Sequence, residues 1–521
     1  MENTLTLDHT KKAPNTFTKT KQWALKITLG ALTGASVYLA SPPKDYHIFT
    51  WIFLIPFFYA CFLPDNPISH KKRFITGVIS GFFIHLFMFY SLGSAFTSFL
   101  RIEWFYKPIV SSLSLFIFCT YSGIMFGIIA LLLPLIKVNF PKYWGIICAC
   151  FITLMEFSFP HVFPWNIGCG LISVLPFFQF ASVFGIYGLT FLAVFINVIL
   201  FNTIESIRTK SSIPKFTIIF SAVILIAAYT WGDYRLNEIQ EKIESSKKIK
   251  IAMIQPNNVF FGRFNSLVSL SKKALEDGAQ LLIWPETSMG VKTFTKKNIS
   301  TTQNLAKKYQ VPIIFHANHF NPNVYKNFSS TFLINSNGNF QERYDKIKLV
   351  PFTETFPLKS NWIKRKYPKL YRIQSGDKRS YWNLFGKTFT PLICYEGIFS
   401  SFIRKNVNQG ANVIINQTND MWFKTSDIAY HHLMITTVRA VEFGVPFLRS
   451  TVTGITTWTD PSGKTHHPSP LSKEHIWNHP VSLESFPTFY RKHGDILIYL
   501  CLFICVIAGL IGFTKRKKEN Q

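Results

Sequence analysis

The sequence predicts a chain with two kinds of fold: a multi-span α-helical membrane bundle and an α/β domain built from layers of strands and helices. Three observations lead to this prediction. The chain of 521 residues is 48% hydrophobic with a mean hydropathy of +0.19, which is too apolar for a protein that is soluble throughout. Its apolar residues concentrate in runs long enough to cross a bilayer. Between residues 248 and 460, short apolar runs alternate with amphipathic helical ones.

The first feature along the chain is a series of apolar segments before residue 233. Most of them approach the ~20 residues that a helix needs to cross hydrocarbon. The segments are 22–41, 47–63, 74–99, 107–136, 143–160, 177–203 and 215–232. The second is short and contains Pro56, so a re-entrant hairpin is the alternative to a full span there. An eighth apolar run, 496–513, lies near the C-terminus.

Basic residues in the connecting loops predict the orientation of these spans. Lys and Arg concentrate in the N-terminal tail, in loops 70–73, 137–142 and 208–215, and after the last apolar run at 515–518, whereas the alternate loops hold few. Because basic loops stay on the cytoplasmic side, both termini are predicted to be cytoplasmic. The region between the seventh and eighth spans then lies outside the cytoplasm.

The chain therefore divides into four predicted parts. These are a cytoplasmic N-terminal tail (1–21), a transmembrane bundle of about seven helices (22–232), an extracytoplasmic domain (233–490), and a final transmembrane helix with a basic cytoplasmic tail (491–521).

The extracytoplasmic part is predicted to be a layered α/β domain. Its predicted strands are 249–255, 279–286, 311–318, 329–336, 389–396 and 411–418, and its predicted helices are 265–277, 298–309, 398–408 and 428–443. Apolar strands separated by helices are typical of sheets buried beneath helical layers. Asn337-Gly338 predicts a hairpin turn that leads into a further strand, 339–345.

The charge and the cysteines argue against some classes of function. The formal net charge is +28, but the basic residues lie in loops and tails without a nucleic-acid-binding motif, so an anionic membrane surface explains the charge better. Seven of the eight cysteines lie in or beside apolar runs, without the spacing of a disulfide framework or a metal site. The pair His431-His432 lacks partners at ligand spacing and is expected on a helix surface. We therefore expect no metal, no cofactor and no nucleic acid partner.

The stretch FTPLICYEG, residues 389–397, is the first candidate for chemistry. Its apolar run predicts a buried strand that ends in a tight turn at Cys394. Cys394 is the only cysteine between Cys169 and Cys501. From these residues alone, Cys394 is either a buried small hydrophobic residue or a nucleophile.

Two further stretches carry charged residues at or just beyond predicted strand ends. Glu286 follows Trp284-Pro285, and a carboxylate there is costly unless it has a partner or a function. It is either a general base whose pKa is raised by burial, or a helix N-cap or loop residue. Lys346 lies in YDKIKLVPFTE, residues 344–354. It is either a group that lowers the pKa of a nearby thiol and stabilises an oxyanion, or an ordinary surface lysine.

Taken together, these residues resemble a known catalytic set. Glu286, Lys346 and Cys394, in this order, resemble the Glu-Lys-Cys triad of the nitrilase superfamily. The wider pattern resembles the apolipoprotein N-acyltransferases, which have eight spans and a nitrilase-like domain between the seventh and the eighth. The motifs that carry this resemblance are WPET (284–287), YDKIKLVPFTE (344–354), ICYE (393–396), NDMWF (419–423), RAVE (439–442) and, after the fifth span, FPW (163–165).

The resemblance implies a fold, a reaction and a location. The α/β domain would be a nitrilase-like αββα sandwich on the periplasmic side of the inner (cytoplasmic) membrane of a bacterium. The enzyme would transfer an acyl chain from a membrane phospholipid to the N-terminal S-diacylglyceryl-cysteine amine of apolipoproteins, the last step of lipoprotein maturation. Its partners would be these two lipid substrates and the bilayer, it would need no cofactor, and it would act as a monomer.

The resemblance also implies roles for the three residues of the triad. Cys394 would be the nucleophile that forms a thioester acyl-enzyme. Glu286 would be the general base, and Lys346 would stabilise the oxyanion.

Further positions are carried over from the family with supporting roles. Glu354, Tyr395 and Glu396 are supporting positions, and the two glutamates are candidates to orient Lys346 or the incoming amine. The substrate-binding candidates are Trp165, Trp422 and Phe423. The last two are either exposed aromatic residues of a lid or a membrane-dipping loop, or residues packed in the core. Arg439 and Glu442, three residues apart on one helix face, are expected to form a structural ion pair.

Three positions depart from the family's pattern. Thr353 stands where the family usually has Gly, Lys424 stands where Gly commonly follows Trp-Phe, and Thr453 stands where Asn usually precedes Gly454. These are loop positions near the site, so we expect them to affect substrate preference more than the chemistry.

Two other functions remain open from the sequence. A membrane-anchored nitrilase-type amidohydrolase would share the chemistry up to the thioester and would use water in place of the lipoprotein amine. A transporter or receptor would use the external domain only to bind a ligand, but the spans hold few ionisable residues, with Glu156 the main exception. Reaction of Cys394 with a thiol reagent near neutral pH would distinguish an enzyme from a binding module.

Overall fold

A helical bundle precedes an α/β domain in this protein. The structure, a computed structural model, describes residues 19–63, 69–99, 102–257, 263–289, 294–322, 326–351, 353–356, 361–366, 373–424 and 426–519. Residues 1–18 of the predicted N-terminal tail lie outside the described residues. The helices of the bundle are α1 (Lys19–Ala40), α2 (Ile55–Phe62), α3 (His70–Phe89), α4 (Leu92–Phe99), α5 (Lys107–Asn139), α6 (Trp144–Ser158), α7 (Leu175–Phe178), α8 (Ala181–Phe184), α9 (Ile186–Arg208) and α10 (Lys215–Ser245).

Several of these helices have the length and composition of membrane spans. Among the described residues, six helices are long and apolar enough to cross a bilayer. Five of them are α1, α3, α5, α9 and α10, and the sixth is the C-terminal helix (Ile496–Glu519). The predicted multi-span bundle is therefore confirmed.

Two of the predicted spans are shorter than a bilayer crossing. Segment 143–160 forms α6, which has 15 residues. Segment 47–63 is a 3-10 turn (His47–Trp51) followed by the eight-residue α2. Asn197 of α9 supports this break, because its Oδ1 accepts the N–H of Leu54 at 2.9 Å and its Nδ2 donates to the carbonyl of Thr50 at 2.8 Å. A buried amide from a neighbouring helix thus satisfies backbone groups that the broken helix leaves unpaired.

Two other predicted spans are divided differently from the prediction. Segment 74–99 is split between α3 and α4. Segment 177–203 contains the second half of α7, all of α8 and most of α9. The chain breaks before α9 because Gly185 has a φ of +67°, which a residue with a side chain rarely adopts.

Close contact between α3 and α5 depends on small residues. A Cβ at Gly77 would lie 2.2 Å from the carbonyl oxygen of Phe126, and one at Gly123 would lie 2.6 Å from that of Val78. These glycines let the two helix backbones approach each other directly, which is typical of helix packing in membranes.

The last helix of the bundle continues into the α/β domain. The predicted boundary at residue 233 falls inside α10, which extends to Ser245. Beyond that residue Leu236, Ile239 and Ile243 are buried, at the spacing of one helix face. The composition therefore changes at residue 233, but the helix does not end there.

The α/β domain contains two six-stranded sheets. The first has the order β12-β1-β2-β3-β4-β5 and the second the order β11-β10-β9-β8-β7-β6. Their strands are β1 (Lys248–Gln255), β2 (Leu281–Ile283), β3 (Ile313–Asn321), β4 (Lys326–Ile334), β5 (Phe340–Asp345), β6 (Trp382–Leu384), β7 (Lys387–Ile393), β8 (Val413–Thr418), β9 (Phe447–Thr451), β10 (Thr457–Thr459), β11 (Thr465–His466) and β12 (His475–Ser482). The central pairs β1–β2, β2–β3, β7–β8 and β8–β9 are parallel.

Helices cover the outer face of each sheet. The helices that follow β1 are α11 (Arg263–Glu276), α12 (Lys296–Tyr309), α13 (Asn361–Lys366), α14 (Ser400–Asn408), α15 (Ile428–Phe443), α16 (Phe489–His493) and the C-terminal helix α17 (Ile496–Glu519). One apolar core lies between the two sheets, a second joins the first sheet to α11 and α12, and a third joins the second sheet to α14 and α15. The predicted αββα sandwich is thus confirmed.

Most of the predicted elements of this domain are present with shifted ends. All six predicted strands and all four predicted helices occur, and the hairpin at Asn337-Gly338 joins β4 to β5. The strand predicted to run through 396 stops at Ile393, and a 3-10 turn (Cys394–Ile398) follows. The sequence prediction did not include β6, β9, β10, β11 and β12.

The α/β domain packs against the bundle through α15. Ala440 and Phe443 of this helix belong to the core beneath the second sheet. Met434, Ile435 and Val438, on another face, belong to the apolar core of the bundle. One helix thus contributes to both cores.

A buried ion pair reinforces this interface. Glu442 forms the expected ion pair with Arg439, and both side chains are almost fully buried. Its Oε1 also accepts the backbone N–H of Ile186, the first residue of α9, at 3.0 Å, and its Oε2 accepts the hydroxyl of Ser400 at 2.9 Å. The carboxylate therefore links the start of a membrane helix to two helices of the α/β domain.

Candidate active site

Three strand ends bring the predicted site residues together. Glu286 lies three residues after β2, Lys346 directly follows β5, and Cys394 directly follows β7. Lys346 Nζ lies 3.6 Å from Glu286 Oε1, and Glu286, Lys346 and Cys394 each shift the pKa of the other two. The first two residues come from the first sheet and the third from the second, so the site lies where the two sheets meet.

Gln417 of β8 joins the sheets at this point. Its Nε2 donates to the carbonyl of Trp284 at 2.6 Å, and its Oε1 accepts the hydroxyl of Thr331 at 2.6 Å. All three residues are buried, so these hydrogen bonds are shielded from water. The amide fixes the separation of the strand ends that carry the site.

The turn that holds Cys394 is strained. Its φ is +50°, in the left-handed region that residues with a side chain rarely adopt. The carbonyl of Cys394 accepts Nδ2 of Asn416 at 3.2 Å. Cys394 is partly exposed, whereas Ile393 before it is fully buried. The strand end thus presents the thiol at the edge of the core, as the sequence predicts.

Lys346 is a buried cation held by two carboxylates. Its side chain is 0% exposed, and its Nζ donates to Glu354 Oε1 at 2.7 Å in addition to lying near Glu286. Burial alone would lower the pKa of Lys346, but the charges of Glu354 and Glu286 outweigh it and raise the pKa above its usual value. The ammonium is therefore a fixed positive charge beside Cys394.

Burial dominates the protonation of Glu286. It raises the pKa of this carboxyl to about 7, and the charges of Glu354 and Asp420 add to the rise. The ammonium of Lys346 and the thiol of Cys394 act in the opposite direction. Near neutral pH, Glu286 is therefore balanced between its acid and base forms, as a general base requires.

The thiol of Cys394 is protonated at rest. Enclosure in the site raises its pKa to about 12, and the negative charge of Glu286 contributes to the rise. Lys346 and a hydrogen bond with Thr418 lower this pKa, but by less than burial and Glu286 raise it. The geometry therefore favours removal of the thiol proton by Glu286 during attack, and not a free thiolate beforehand.

The chain after Glu286 is fixed by His316. Thr287 has a φ of +54°, and its N–H donates to Nδ1 of His316 at 2.9 Å. Burial and the charge of Lys346 keep the pKa of His316 low, so the ring is neutral and its other nitrogen, Nε2, donates to the hydroxyl of Ser329 at 2.8 Å. Arg263 also donates to the carbonyl of Thr287, at 2.7 Å.

Glu396 fastens the loop of Lys346 to the turn of Cys394. Its Oε1 accepts the hydroxyl of Tyr344 at 2.7 Å and the N–H groups of Ile347 and Lys348 at 2.8 and 2.9 Å. Its Oε2 accepts the N–H of Ile393 at 2.9 Å. Of the two glutamates expected to orient Lys346, only Glu354 contacts its ammonium. Glu396 instead accepts backbone N–H groups of the loop after Lys346 and of the end of β7.

Tyr395 lies between the site and the bundle. Its ring packs edge-on against Phe399, with a centroid separation of 4.8 Å, and contacts the apolar core of the bundle. The structure places its ring in packing contacts next to Cys394.

The aromatic substrate-binding candidates are buried or half-buried in the structure. Trp165 is buried at 4% exposure. Trp422 and Phe423 are half-buried in a 3-10 turn (Met421–Phe423). The ring of Phe423 lies 6.3 Å from that of Phe163 in the loop after α6. The loop of Phe423 thus packs against the loop after α6 in this structure, and a substrate-binding role for these residues stays a prediction.

A buried charged cluster behind the site was not predicted. Asp420 accepts Nη2 of Arg449 at 2.8 Å and Nδ1 of His432 at 2.9 Å, and all three side chains are at least 95% buried. Burial would raise the pKa of Asp420, but Arg449 and His432 outweigh it and hold the pKa below its usual value. His432 and its neighbour His431 are both buried, so the expectation of a helix surface is wrong. The sequence feature that could have indicated this cluster is Arg449 within the apolar strand β9, because a buried guanidinium requires a carboxylate partner.

The three departures from the family's pattern have local structural consequences. Lys424 has a φ of +50° and a ψ of −132°, a conformation that explains a preference for glycine there. The hydroxyl of Thr353 donates to the carbonyl of Val350 at 3.2 Å. Thr453 precedes Gly454, and a Cβ on that glycine would lie 2.2 Å from Asp420 Oδ2.

Comparisons with known proteins agree with this division into a bundle and an α/β domain. The family model of the carbon-nitrogen hydrolases matches residues 250–485, and the model of the apolipoprotein N-acyltransferase N-terminal domain matches residues 33–199. The fold and the site thus define a carbon-nitrogen hydrolase domain joined to a membrane bundle. The chain is similar to the apolipoprotein N-acyltransferases, because the model of their N-terminal domain matches its bundle and the two models together cover most of its length.

Individual relatives match over nearly the whole length of the chain. The apolipoprotein N-acyltransferase of Geobacter metallireducens is 26% identical and covers 95% of this chain and 96% of its own. That of Haemophilus influenzae is 28% identical over 73% of this chain and 76% of its own. Among solved structures, the NitN amidase from Neterenkonia sp. AN1 matches at 16% identity with a TM-score of 0.39, covering 48% of this chain and 98% of its own.

Proposed function

We propose that this protein transfers an acyl chain from a membrane phospholipid to the α-amine of the S-diacylglyceryl cysteine that begins an apolipoprotein. The observation that carries the proposal is the convergence of three strand ends on one buried site, where Glu286 lies 3.6 Å from the ammonium of Lys346 and Cys394 directly follows β7. The names of the relatives support the lipoprotein as acceptor.

In the first half-reaction, Cys394 attacks the ester carbonyl of the phospholipid. Glu286 takes the thiol proton as the S–C bond forms, and then gives it to the departing oxygen as the C–O bond breaks. The products are a thioester on Cys394 and a lysophospholipid. The pKa of Glu286 of about 7 suits both transfers.

Lys346 stabilises the oxyanion of the tetrahedral intermediate. Its raised pKa keeps the ammonium charged throughout the cycle, and Glu354 holds it in place at 2.7 Å. Loss of one such donor costs ~3–4 kcal/mol of transition-state stabilisation in comparable sites.

In the second half-reaction, the lipoprotein amine attacks the thioester. The N–C bond forms, the C–S bond breaks, and Glu286 accepts a proton from the amine and returns it to the sulfur of Cys394. The cycle is of the ping-pong type, and the two products leave separately.

The membrane part supports lipid substrates and a location in the bacterial inner membrane. The contacts of α15 with the bundle keep the site close to the membrane helices. The alternation of loops rich in Lys and Arg with loops that hold few of them supports cytoplasmic termini and a site on the periplasmic side.

Acyl transfer to a synthetic lipopeptide tests this proposal. Purified protein in detergent would be incubated with phospholipid and a lipopeptide that begins with S-diacylglyceryl cysteine. We expect N-acyl lipopeptide and lysophospholipid in equal amounts, and neither product with Cys394→Ala. Free fatty acid released at the same rate with and without lipopeptide would instead identify a hydrolase. No product from folded protein would favour a receptor or transporter.

A further inference from the structure

The acceptor brings one more proton to the site than Glu286 can take. An α-amino group has a pKa of about 7.7–8.0, so at neutral pH most acceptor molecules arrive as an ammonium ion. Formation of the amide breaks two N–H bonds of that ammonium. One proton can pass to Glu286 and then to the sulfur of Cys394, which restores the resting thiol. The second proton needs another acceptor, and this requirement rests on the proposed function.

The partner of His432 lies in the chain segment that follows β8 and contacts the site. Asp420 accepts the hydroxyl of Thr418 at 3.3 Å, and the adjacent Asn419 donates to the hydroxyl of Thr287, next to Glu286, at 3.0 Å. The imidazole ring of His432 lies 6.0 Å from the ring of Phe423 and 6.3 Å from that of Phe163.

Hydrogen bonds connect this histidine to the nucleophile. The carbonyl of Cys394 accepts Nδ2 of Asn416 at 3.2 Å, and Oδ1 of Asn416 accepts Nη1 of Arg449 at 3.1 Å. Nη2 of Arg449 donates to Asp420 at 2.8 Å, and Nδ1 of His432 lies 2.9 Å from the other oxygen of that carboxylate. The position of the imidazole is thus fixed relative to the turn of Cys394.

The hydrogen bonds also determine which nitrogen of His432 is basic. Asp420 is ionised and can only accept, so Nδ1 carries the hydrogen, although Nη2 of Arg449 also lies 3.0 Å from it. The lone pair is then on Nε2. Within the described part of the chain, Nε2 makes no hydrogen bond, whereas both nitrogens of the neighbouring His431 are buried without partners. His432 is thus a neutral imidazole oriented by a carboxylate, with its basic nitrogen available.

The charged groups that face His432 favour this neutral form. Burial, Arg449 and Lys346 lower its pKa, and Asp420 opposes them. The ring is therefore unprotonated at neutral pH and able to accept a proton.

We propose that His432, oriented by Asp420, accepts a proton from the acceptor ammonium in the second half-reaction. One N–H bond breaks and its proton goes to Nε2, which leaves a neutral amine. The amine attacks the thioester, the N–C bond forms and the C–S bond breaks. The second N–H proton goes to Glu286 and from there to the sulfur, and Nε2 releases its proton to water.

His432→Asn tests this role, because the asparagine amide keeps a donor for Asp420 but removes Nε2. The acyl-enzyme would be prepared with phospholipid, freed of excess lipid and mixed with lipopeptide, and loss of the thioester would be followed by mass spectrometry. We expect loading within twofold of wild type and aminolysis slower by about 10²-fold or more at pH 7. The defect should shrink above pH 8, where the amine arrives without its extra proton.

Two controls separate catalysis from folding. Hydroxylamine, a nucleophile that is neutral at pH 7, should cleave the wild-type and His432→Asn thioesters at equal rates. His475→Asn, on β12 and outside the site, should leave both half-reactions unchanged.

Three results would overturn the inference. They are equal aminolysis rates and pH profiles in wild type and His432→Asn, an equal slowing of both half-reactions, or a slower reaction of the variant with hydroxylamine. If the wild type forms no thioester, the proposed function fails, and this inference fails with it.

Discussion

Glu286 and Cys394 lie where burial disfavours a charge on either side chain. Burial is the largest cause of the raised pKa of both groups, and each carboxylate nearby adds to it. Lys346 provides the compensating positive charge, itself held by Glu354 and Glu286. The site thus keeps a neutral thiol, a carboxyl that titrates near neutral pH and a permanent cation within one hydrogen-bonded group.

The pKa of Glu286 predicts the pH dependence of acylation. The carboxylate form accepts the thiol proton, and it predominates above a pKa of about 7 and is lost as the pH falls below it. We therefore expect the single-turnover rate of thioester formation to fall about tenfold per pH unit below 7 and to level off above it. Glu354→Gln removes a charge that raises the pKa of Glu286, so the midpoint should move to lower pH. A rate that is constant between pH 5 and 8 would contradict the assignment of Glu286 as base.

Among the site residues, the sequence indicated those that stand in a recognisable local motif. It did not indicate those whose role depends on contacts with distant parts of the chain. Cys394 and Glu286 were candidates because each follows an apolar strand, whereas Lys346 follows the polar strand β5 and was indicated by the resemblance of its motif to the family. The partner of Lys346 was left open between Glu354 and Glu396, because only the folded loops decide which carboxylate reaches Nζ. The contact of His432 with Asp420 and Arg449 joins a helix, a loop and a strand, and only Arg449, in an apolar strand, indicates it from the sequence.

Among the structural elements, the turn Cys394–Ile398 and the loop after β5 act as one unit. Glu396 accepts four hydrogen bonds, one from Tyr344 near the end of β5, two from Ile347 and Lys348 of the loop, and one from Ile393 of β7. The left-handed conformation of Cys394 is maintained by such contacts, because the isolated turn would not favour it.

Glu396→Gln is expected to destabilise this unit. The amide oxygen can replace one carboxylate oxygen, but the amide N–H₂ group then meets a backbone donor that has lost its acceptor. A buried unsatisfied donor costs about 1–3 kcal/mol, so we expect a lower unfolding temperature and slower thioester formation. Tyr344→Phe removes only one of the four hydrogen bonds and should have a smaller effect. Identical melting curves for Glu396→Gln and wild type would contradict this account.

The strands that the sequence did not predict are stabilised by pairing with other strands more than by an apolar pattern of their own. β12 contains His475, His479 and Pro480, yet it pairs along its whole length with β1. Its place depends on an antiparallel partner more than two hundred residues earlier in the sequence, and not on its own composition. β10 and β11 have only three and two residues, too few for a hydrophobic period to be visible.

For the whole molecule, the bundle and the α/β domain are joined by a shared helix and buried charges. α10 runs through both parts, and α15 contributes side chains to both apolar cores. The overall division into spans and an α/β domain was predictable because hydropathy changes sharply along the chain. The exact length of each span was not, because polar residues such as Asn197 stabilise breaks that hydropathy alone does not reveal.

Glu442→Ala tests how the two parts are held together. The substitution leaves the guanidinium of Arg439 buried without its carboxylate, which costs about 3–5 kcal/mol in comparable buried pairs, and it removes the acceptor of Ile186 N–H. We expect a clear fall in the unfolding temperature of the detergent-solubilised protein. Glu238→Ala breaks the exposed pair with Lys242 and should leave that temperature nearly unchanged. Equal effects of the two substitutions would show that Glu442 does not stabilise the interface.

The mass of the intact protein after incubation with phospholipid alone shows whether Cys394 forms a thioester. We expect wild type to gain the mass of one acyl chain and to lose it with hydroxylamine, while Cys394→Ala gains nothing. An unchanged mass of folded wild-type protein, or an adduct that persists in Cys394→Ala, would contradict a thioester intermediate at Cys394.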